Sequence, residues 1–541
     1  MRKSIYLLAL LLGSISFALP AQEVAKGYVY SDQNQNGKKD RKEPGIPGVG
    51  ISNGQLVVTS DANGFYEIPV SSGQLIFVIK PSGYQVCLDS LNKPQFFYIH
   101  KPEGSPKLTY AGSQPTGPLP KEINFGLIPK EEPEKFTALI FGDPQPYNLE
   151  EVDYFDRGIV DEVAGIQNVA FGLSLGDLVG DDLDLFYPYS RAVAKVGLPW
   201  YNVMGNHDEN YDVDWDELAD ETFEAHFGPS TYSFNVGKVH FIVLDDILWP
   251  DPRDGKGYWG GMRPDQLDFV ENDLKLVPKD HLVVISMHIP LSEEGDSFRD
   301  EDRQRLFDLL AEFPYTFSMS AHTHLQKQDY FGKEDGWKQE KPHHHYNVGT
   351  TSGDWYKGVL DANGIPVSTM RDGTPKGFAL VDFAGNQYQI RYHVAGKPAE
   401  YQMEIFAPKV LKKDLRTTAG IYVNFFMGAT GDEVKYKIDE GEWIKMNQIQ
   451  EVDPAYLVDL LEWDMTEEII QGKRPSNAQP SRHLWKTPIP VNLGAGEHEI
   501  TVSATDRYGK VHIGKKYLRS LIKNVGLKKR RPEFLISASS H

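Results

Sequence analysis

The chain has one cysteine, Cys87, among 541 residues, so no disulfide can form within it. Positive charge is scarce as well: 56 Lys and Arg face 76 Asp and Glu, a net charge of -20. A phosphate backbone wants a basic stripe, so nucleic acid is not expected as a partner. Past the first residues no apolar run approaches the roughly 20 residues that a membrane span needs, and no transmembrane segment is expected. Long repeats and low-complexity tracts are missing too. What remains is an ordinary globular composition, 40% hydrophobic and 24% charged, with 27 Tyr, 27 Phe and 9 Trp to build large cores. A chain of this length exceeds one core, and two to four domains are expected.

The opening stretch, "MRKSIYLLALLLGSISFALPAQ", puts two basic residues before a short apolar run and small residues at Ala18 and Ala21. That pattern predicts a signal peptide over 1–21 and an exported protein, periplasmic or extracellular. Residues 22–128 alternate short apolar runs with Gly, Pro, Asn and Asp, which predicts a small β-sandwich. Asn63-Gly64, between the apolar runs of "GQLVVTS" and "DANGFYEIPV", predicts a hairpin. The charged, Pro-flanked "PKEEPEK" at 129–135 reads as a linker. From 136 to 400 apolar strands alternate with helical stretches such as "PDQLDFVENDLKL", so this part is an α/β domain. Residues 401–525 return to β signals, interrupted by a helical insert around "PAYLVDLLEWDMTEEII", and 526–541 read as a frayed tail.

Five strands of the middle domain end in the same manner. "LIFGD" ends at Asp143, "GLSLGD" at Asp177, "YNVMGNHD" at Asn206, His207 and Asp208, "VVISMH" at His288, and "FSMSAHTH" at His322 and His324. The carboxyl edge of an α/β sheet is where ligands bind. Mixed oxygen and imidazole donors are the residue types of divalent-metal sites. A Gly-Asp after one strand is usually a turn; five such endings in one domain are hard to obtain from turn chemistry.

The order Asp…Gly-Asp…Gly-Asn-His-Asp…His…His-x-His resembles the calcineurin-like metallophosphoesterase superfamily. The stretch "YSFNVGKVHFIVLD" is similar to the strand pair that follows the Gly-Asn-His-Asp motif there. The resemblance implies a multidomain chain whose central α/β metallophosphoesterase fold, a β-sandwich flanked by helices, lies between two smaller mainly-β domains. It also implies two divalent ions (Mn, Fe, Mg or Zn) bridged by Asp177. Asp143, Asp177 and His324 would hold one ion, and Asp177, Asn206, His288 and His322 the other. His207 would face the substrate phosphate, with Asp181 or Asp208 orienting it. Metal-activated water then needs no Ser or Cys nucleophile. The expected activity is hydrolysis of phosphomonoesters or phosphodiesters, on a small phosphorylated substrate or a phospholipid or glycan headgroup.

The family's first motif is most often Asp-x-His. Here Gln145 takes the His position, and its amide oxygen would be a harder, weaker ligand, which leans toward Mn, Mg or Fe. The run "HHHYN", His343 to Asn347, reads as a partly exposed loop, with Trp355 or Tyr356 as further candidates to line the cleft. In the first domain, "DQNQNGKKDRKE" fits a twelve-residue calcium loop with Asp32, Asn34, Asn36, Asp40 and Glu43 as oxygen donors and Lys38 offering its carbonyl. Its strand-like flanks resemble the calcium-binding B-type repeats of bacterial surface adhesins, and calcium there would be structural. The rival class is a catalytically inactive cell-surface or glycan-binding protein that uses its β domains.

Overall fold

The computed structural model describes residues 23–292 and 295–522. The signal read over 1–21 and the tail at 526–541 lie outside the described residues. Among the described residues no helix is long and apolar enough to cross a membrane.

The N-terminal unit is a sandwich of a five-stranded and a four-stranded sheet. Strand residues alternate inward and outward, and Val29, Ile51, Ile68 and Phe77 are buried between the layers. Asn63-Gly64 does make a tight turn, closed by Gly64 N–H donating to the Asp61 carbonyl at 2.9 Å. It is not a hairpin. The strand before it, Val57–Thr59, pairs with Gly50–Ser52, while the strand after it, Phe65–Val70, pairs with Glu23–Ser31 in the other sheet. The turn is a corner between layers, because both faces of the unit need an apolar cover.

The stretch read as a linker is held at both ends. Pro129 closes one strand and Lys135 opens the next. Between them the Glu132 carboxylate accepts from Lys80 Nζ at 2.7 Å and from the Gly83 and Gly237 amides at 3.0 and 2.9 Å. It therefore straps the first unit to the second. Phe77 meets Phe269 of the helix Pro264–Leu274 edge-on, 5.6 Å between ring centres, and adds an apolar contact between the same two units.

The central unit is two sheets packed face to face. One has the order Trp200–Val203, Val169–Leu175, Lys135–Phe141, Gly377–Ala384, Gln387–Val394. The other runs Tyr232–Val236, Val239–Val243, Leu282–Ser286, Thr316–Ser320, His343–Asn347, Lys327–Phe331. Phe136, Phe171, Phe234, Phe241 and Phe383 fill the space between them. Helices cover the outer faces: Leu149–Phe155 and Phe186–Val193 on the first sheet, Pro264–Leu274 and Asp300–Leu310 on the second. The strands carrying the motif residues run parallel within each sheet, so their carboxyl ends open on one rim.

"HHHYN" is not a loop. It is a fully buried strand lying parallel to Thr316–Ser320. Residues two apart share a face. His343, His345 and Asn347 meet Thr316, Ser318 and Ser320 in one hydrogen-bonded file, while His344 points the other way, 2.7 Å from the Tyr388 hydroxyl. The C-terminal unit is a second sandwich, of four and five strands. Its helix, Pro454–Met465, stops short of "TEEII". Gln326 and Gln328 of the central unit donate to the Phe426 and Met427 carbonyls of this unit at 2.5 and 2.6 Å.

Candidate metal centre

The rim gathers the residues that the sequence scatters over some 180 positions. Asp177 sits at its middle, fully buried. One carboxylate oxygen, Oδ1, lies 3.2 Å from His288 Nε2 and accepts the His207 amide at 3.0 Å. The other, Oδ2, lies 3.1 Å from the Gln145 side-chain amide. On the Oδ1 side, His288 Nε2 is also 3.1 Å from Asn206 Oδ1 and 3.2 Å from His322 Nδ1. On the Oδ2 side, Gln145 Oε1 lies 2.8 Å from His324 Nε2. Asp143 closes the floor: its carboxylate accepts the His322 amide at 3.0 Å and approaches His288 Nδ1 at 3.7 Å.

Two histidines have their tautomer set by a backbone carbonyl. His288 Nδ1–H donates to Leu175 O at 2.8 Å and His324 Nδ1–H to Gly353 O at 2.6 Å. In each neutral ring this turns the Nε2 lone pair inward, the arrangement of a metal-binding imidazole. For His324, which burial keeps neutral, the contact of Nε2 with Gln145 Oε1 then sets lone pair against lone pair, whereas His288, held charged by Asp177 and Asp143, donates Nε2–H towards Asp177 and Asn206. A cation between His324 and Gln145 would satisfy both, and one at His288 would take the place of its Nε2 proton. Asp177, His288 and His322 offer ligand atoms within 4.8 Å of one another and form the one such group of His, Cys, Asp and Glu among the described residues. The donor set therefore fits divalent ions.

Electrostatics agree with a packed anionic hole. Burial pushes the Asp143 carboxyl well above its ordinary range. For Asp177 burial acts the same way, but the His288 and His207 charges outweigh it and hold the group low. Burial disfavours a charged His288, yet Asp177 and Asp143 keep its pKa up at about 10. Burial depresses His322 and His324 to about 3, so both stay neutral.

His207 stands at the mouth. Its Nδ1 is 2.6 Å from Asp181 Oδ1, which also accepts the Tyr211 hydroxyl at 2.9 Å. Burial would lower His207, but Asp177 and Asp181 raise it to about 9. Asp208 does not reach the ring. It is buried, and its carboxylate accepts the Leu178, Val179 and Gly205 amides at 3.0, 3.1 and 2.8 Å. The partner of His207 is Asp181, and Asp208 is a clamp between two loops.

The backbone here is unusual. Eight of the fourteen non-glycine residues with positive φ among the described residues are Asp143, Gln145, Asp177, Asp181, His322, His324, Trp355 and Tyr356. Each such residue costs on the order of 1–3 kcal/mol, and such strain gathers at functional sites. The glycines before two of the motif residues have a steric reason: a Cβ on Gly176 would strike the His288 ring, and one on Gly205 would strike Asp177.

Some residues of the cleft carry no motif. The Trp355 ring stacks on His324, 4.0 Å between centres, and the Arg371 guanidinium lies 5.1 Å from the Trp355 ring centre while donating to the Thr323 carbonyl at 2.7 Å. Tyr147 meets His207 edge-on at 5.9 Å. Only Trp355 was marked by the sequence; Arg371 and Tyr211 stand in loops whose partners come from other strands.

Family models match three stretches: the calcineurin-like phosphoesterase itself over 135–326, its N-terminal part over 33–110 and its C-terminal part over 345–512. The chain belongs to the calcineurin-like phosphoesterases, a family of phosphoric ester hydrolases. The C-terminal match begins at 345, inside the buried His strand, and so takes in the last strands of the central sandwich. No curated protein matches the chain. Among solved structures, purple acid phosphatase PPD1 from yellow lupin (Lupinus luteus) seeds is 13% identical, over 69% of this chain, with a TM-score of 0.35. The chain spans 66% of the length of that phosphatase. The spore cortex lytic enzyme SleM of Clostridium perfringens is 11% identical over 72% of this chain and 100% of its own, with a TM-score of 0.20. Neither likeness is close enough to bear on the chemistry of this phosphoesterase.

Proposed function

We propose that the chain is an exported phosphoesterase that hydrolyses phosphomonoesters or phosphodiesters at a dinuclear metal centre. The observation that carries this reading is Asp177, whose two oxygens face two different donor groups. Asp143, Gln145 and His324 with Asp177 would hold one ion. Asn206, His288 and His322 with Asp177 would hold the other. When bound, such ions supply Lewis-acid activation of water and of the phosphoryl oxygens.

The protein's own groups do the rest. Asp181 accepts the His207 Nδ1–H at 2.6 Å and favours the charged ring, so Nε2–H is the proton that would be offered to a leaving oxygen or to phosphoryl charge. Gly353 and Trp355 fix the His324 ring between a carbonyl and an aromatic face. Gln145 in place of histidine favours Mn, Mg or Fe over a tightly held Zn. The N-terminal apolar stretch supports export to the periplasm or beyond. A structural calcium in the loop of Asp32, Asn34, Asn36, Lys38, Asp40 and Glu43 is supported by Asp32 and Glu43, which close the loop on the amides of Gly37 and Asp40, each at 2.9 Å.

The test is Asp177→Asn, assayed on aryl phosphate mono- and diesters with Mn²⁺. Turnover should vanish with the circular dichroism unchanged, and metal content should fall from about two ions per chain. Activity above a few per cent of wild type would refute the bridging role.

A further inference from the structure

The helix Pro454–Met465 leaves a second apolar stripe uncovered. A surface helix ordinarily buries its apolar stripe and turns its charges to water. Here Asp453 caps the first turn by accepting the Ala455 amide at 2.7 Å, and only Tyr456 and Leu460 are buried. Leu457, Val458, Leu461 and Met465 are 40, 41, 44 and 78% exposed, and Ile469 just beyond is 99% exposed. Positions 457, 461 and 465 are spaced four apart, so they line up along one face.

The insert that carries this helix is joined to the metal cleft. Tyr456 donates its hydroxyl to the Ser476 carbonyl at 2.8 Å, and the Ser476 amide donates to Asp354 at 2.6 Å, beside the Trp355 that stacks on His324. Val359 pairs with Gly472 across a short ladder. On the opposite wall Lys473 bonds Glu151 at 2.5 Å, and Glu151 also accepts the Tyr147 amide at 2.8 Å.

We propose that this stripe docks onto the surface of a zwitterionic phospholipid bilayer and brings the centre to membrane-borne phosphoesters; the second half rests on the phosphoesterase reading above. Size argues against a second copy of the chain. A helix of twelve residues is about 18 Å long and offers a few hundred Å² at most, short of the roughly 800 Å² per partner of a stable dimer. Charge selects the lipid. Asp459, Glu462, Glu467 and Glu468 flank the stripe, and Asp464 is held by Arg474 at 2.6 Å. An anionic surface repels that fringe, whereas a zwitterionic one presents its ammonium groups outermost.

The experiment sediments the full-length, metal-loaded protein with phosphatidylcholine vesicles, alone or with about 30% phosphatidylglycerol. Wild type should pellet with phosphatidylcholine, less so with the anionic lipid. Leu461→Asp with Met465→Asp should pellet about tenfold less, since two large apolar side chains no longer enter the lipid. The same variant should slow hydrolysis of a vesicle-borne phosphoester and leave a soluble aryl phosphoester untouched. Wild type staying in the supernatant, or the variant pelleting equally, overturns the docking face. So does light scattering that shows a dimer broken by the variant. Binding without any turnover sinks the phosphoesterase reading and leaves the docking face standing.

Discussion

Replacing Ser318 by alanine removes one oxygen atom and strands two imidazoles. Ser318 is fully buried, and its Oγ lies 2.8 Å from His343 Nε2 and 2.7 Å from His345 Nδ1. The file runs from Thr316 through His343, Ser318, His345 and Ser320 to Asn347, whose amide donates to Thr323 Oγ1 at 2.9 Å and Leu325 O at 2.7 Å. That last contact fixes its direction. Asn347 Nδ2 faces a carbonyl, so Oδ1 must accept, and Ser320 must donate to it. Ser320 then accepts from His345 Nε2–H, Ser318 donates to His345 Nδ1 and accepts from His343 Nε2–H, and Thr316 donates to His343 Nδ1. Both rings are neutral Nε2–H tautomers, in keeping with the burial that depresses His343 to about 3 and His345 well below its ordinary value.

Losing the Ser318 hydroxyl leaves one buried donor and one buried acceptor unpaired. Each costs about 1–3 kcal/mol, so Ser318→Ala should destabilise the central unit by about 2–6 kcal/mol. Urea unfolding followed by tryptophan fluorescence measures it, with Ser72→Ala, an exposed turn residue, as the control within about 0.5 kcal/mol of wild type. Nitrogen shifts of the two imidazoles report the tautomers independently. A cost under about 1 kcal/mol, or an Nδ1–H ring in the file, would refute the ladder.

The same depressed histidines set a pH dependence. Below pH 6.5 the unfolded chain takes up protons that folded His343 refuses until about pH 3, so stability falls as pH drops through that window. At one unit below 6.5 the loss is about 1.4 kcal/mol per histidine; because the raised carboxyls of Asp208 and Asp246 titrate in the opposite sense over the same range, it is read as the difference in pH slope between wild type and His343→Gln, and equal slopes from about pH 7.5 to 5.5 would contradict it. Asp181→Asn should cost about 10- to 100-fold in kcat with metal content unchanged, because it removes the charge that holds the His207 proton. Asp208→Asn should instead lower the melting temperature, since three amides lose a charged acceptor; the reverse pattern would exchange their roles. Calcium should raise the melting temperature of wild type, and Asp32→Ala should abolish that shift; an equal shift in both would remove calcium from the loop.

The convergence of these residues was legible because each follows an apolar strand, and a strand tip in an α/β unit leaves little choice of where the side chain goes. Asp143, Asp177, Asn206, His288, His322 and His324 were named from that logic, and the fold carries them to one rim. The helix at 264–274 was legible from its apolar spacing. The Ser-His file was hidden, although a signal existed: hydroxyls at 316, 318 and 320 and polar rings or amides at 343, 345 and 347 share a period of two. Polar residues at strand spacing look like a solvated edge until a partner strand with matching polar residues is known. Asn63-Gly64 failed differently, because a turn motif fixes local backbone but not which sheet receives the next strand. Choosing between Asp181 and Asp208 needed the fold of a loop that crosses two strands.

Pairwise contacts among the rim side chains do not explain how the loops of Asp143, Asp177 and His322 stay in strained conformations. The carboxylates do. Asp143 accepts the amide of His322, Asp177 that of His207, and Asp208 those of Leu178, Val179 and Gly205. Asp246, at the end of a sixth strand, accepts the amides of His288 and Ile289 at 3.0 and 3.3 Å. Four of the five loops that carry the rim residues are thus bonded through a backbone amide to a carboxylate from another loop. Charge-assisted bonds of this kind are about twice as strong as neutral ones. Burial raises Asp208 and Asp246 to about 7, so near neutral pH a substantial part of each population is protonated and holds its amides less firmly. Cations held at Asp177 and His288, as proposed, would favour the ionised form of both clamps, so that metal loading would stiffen the loops. The positive-φ residues then persist because several loops must yield before one can relax.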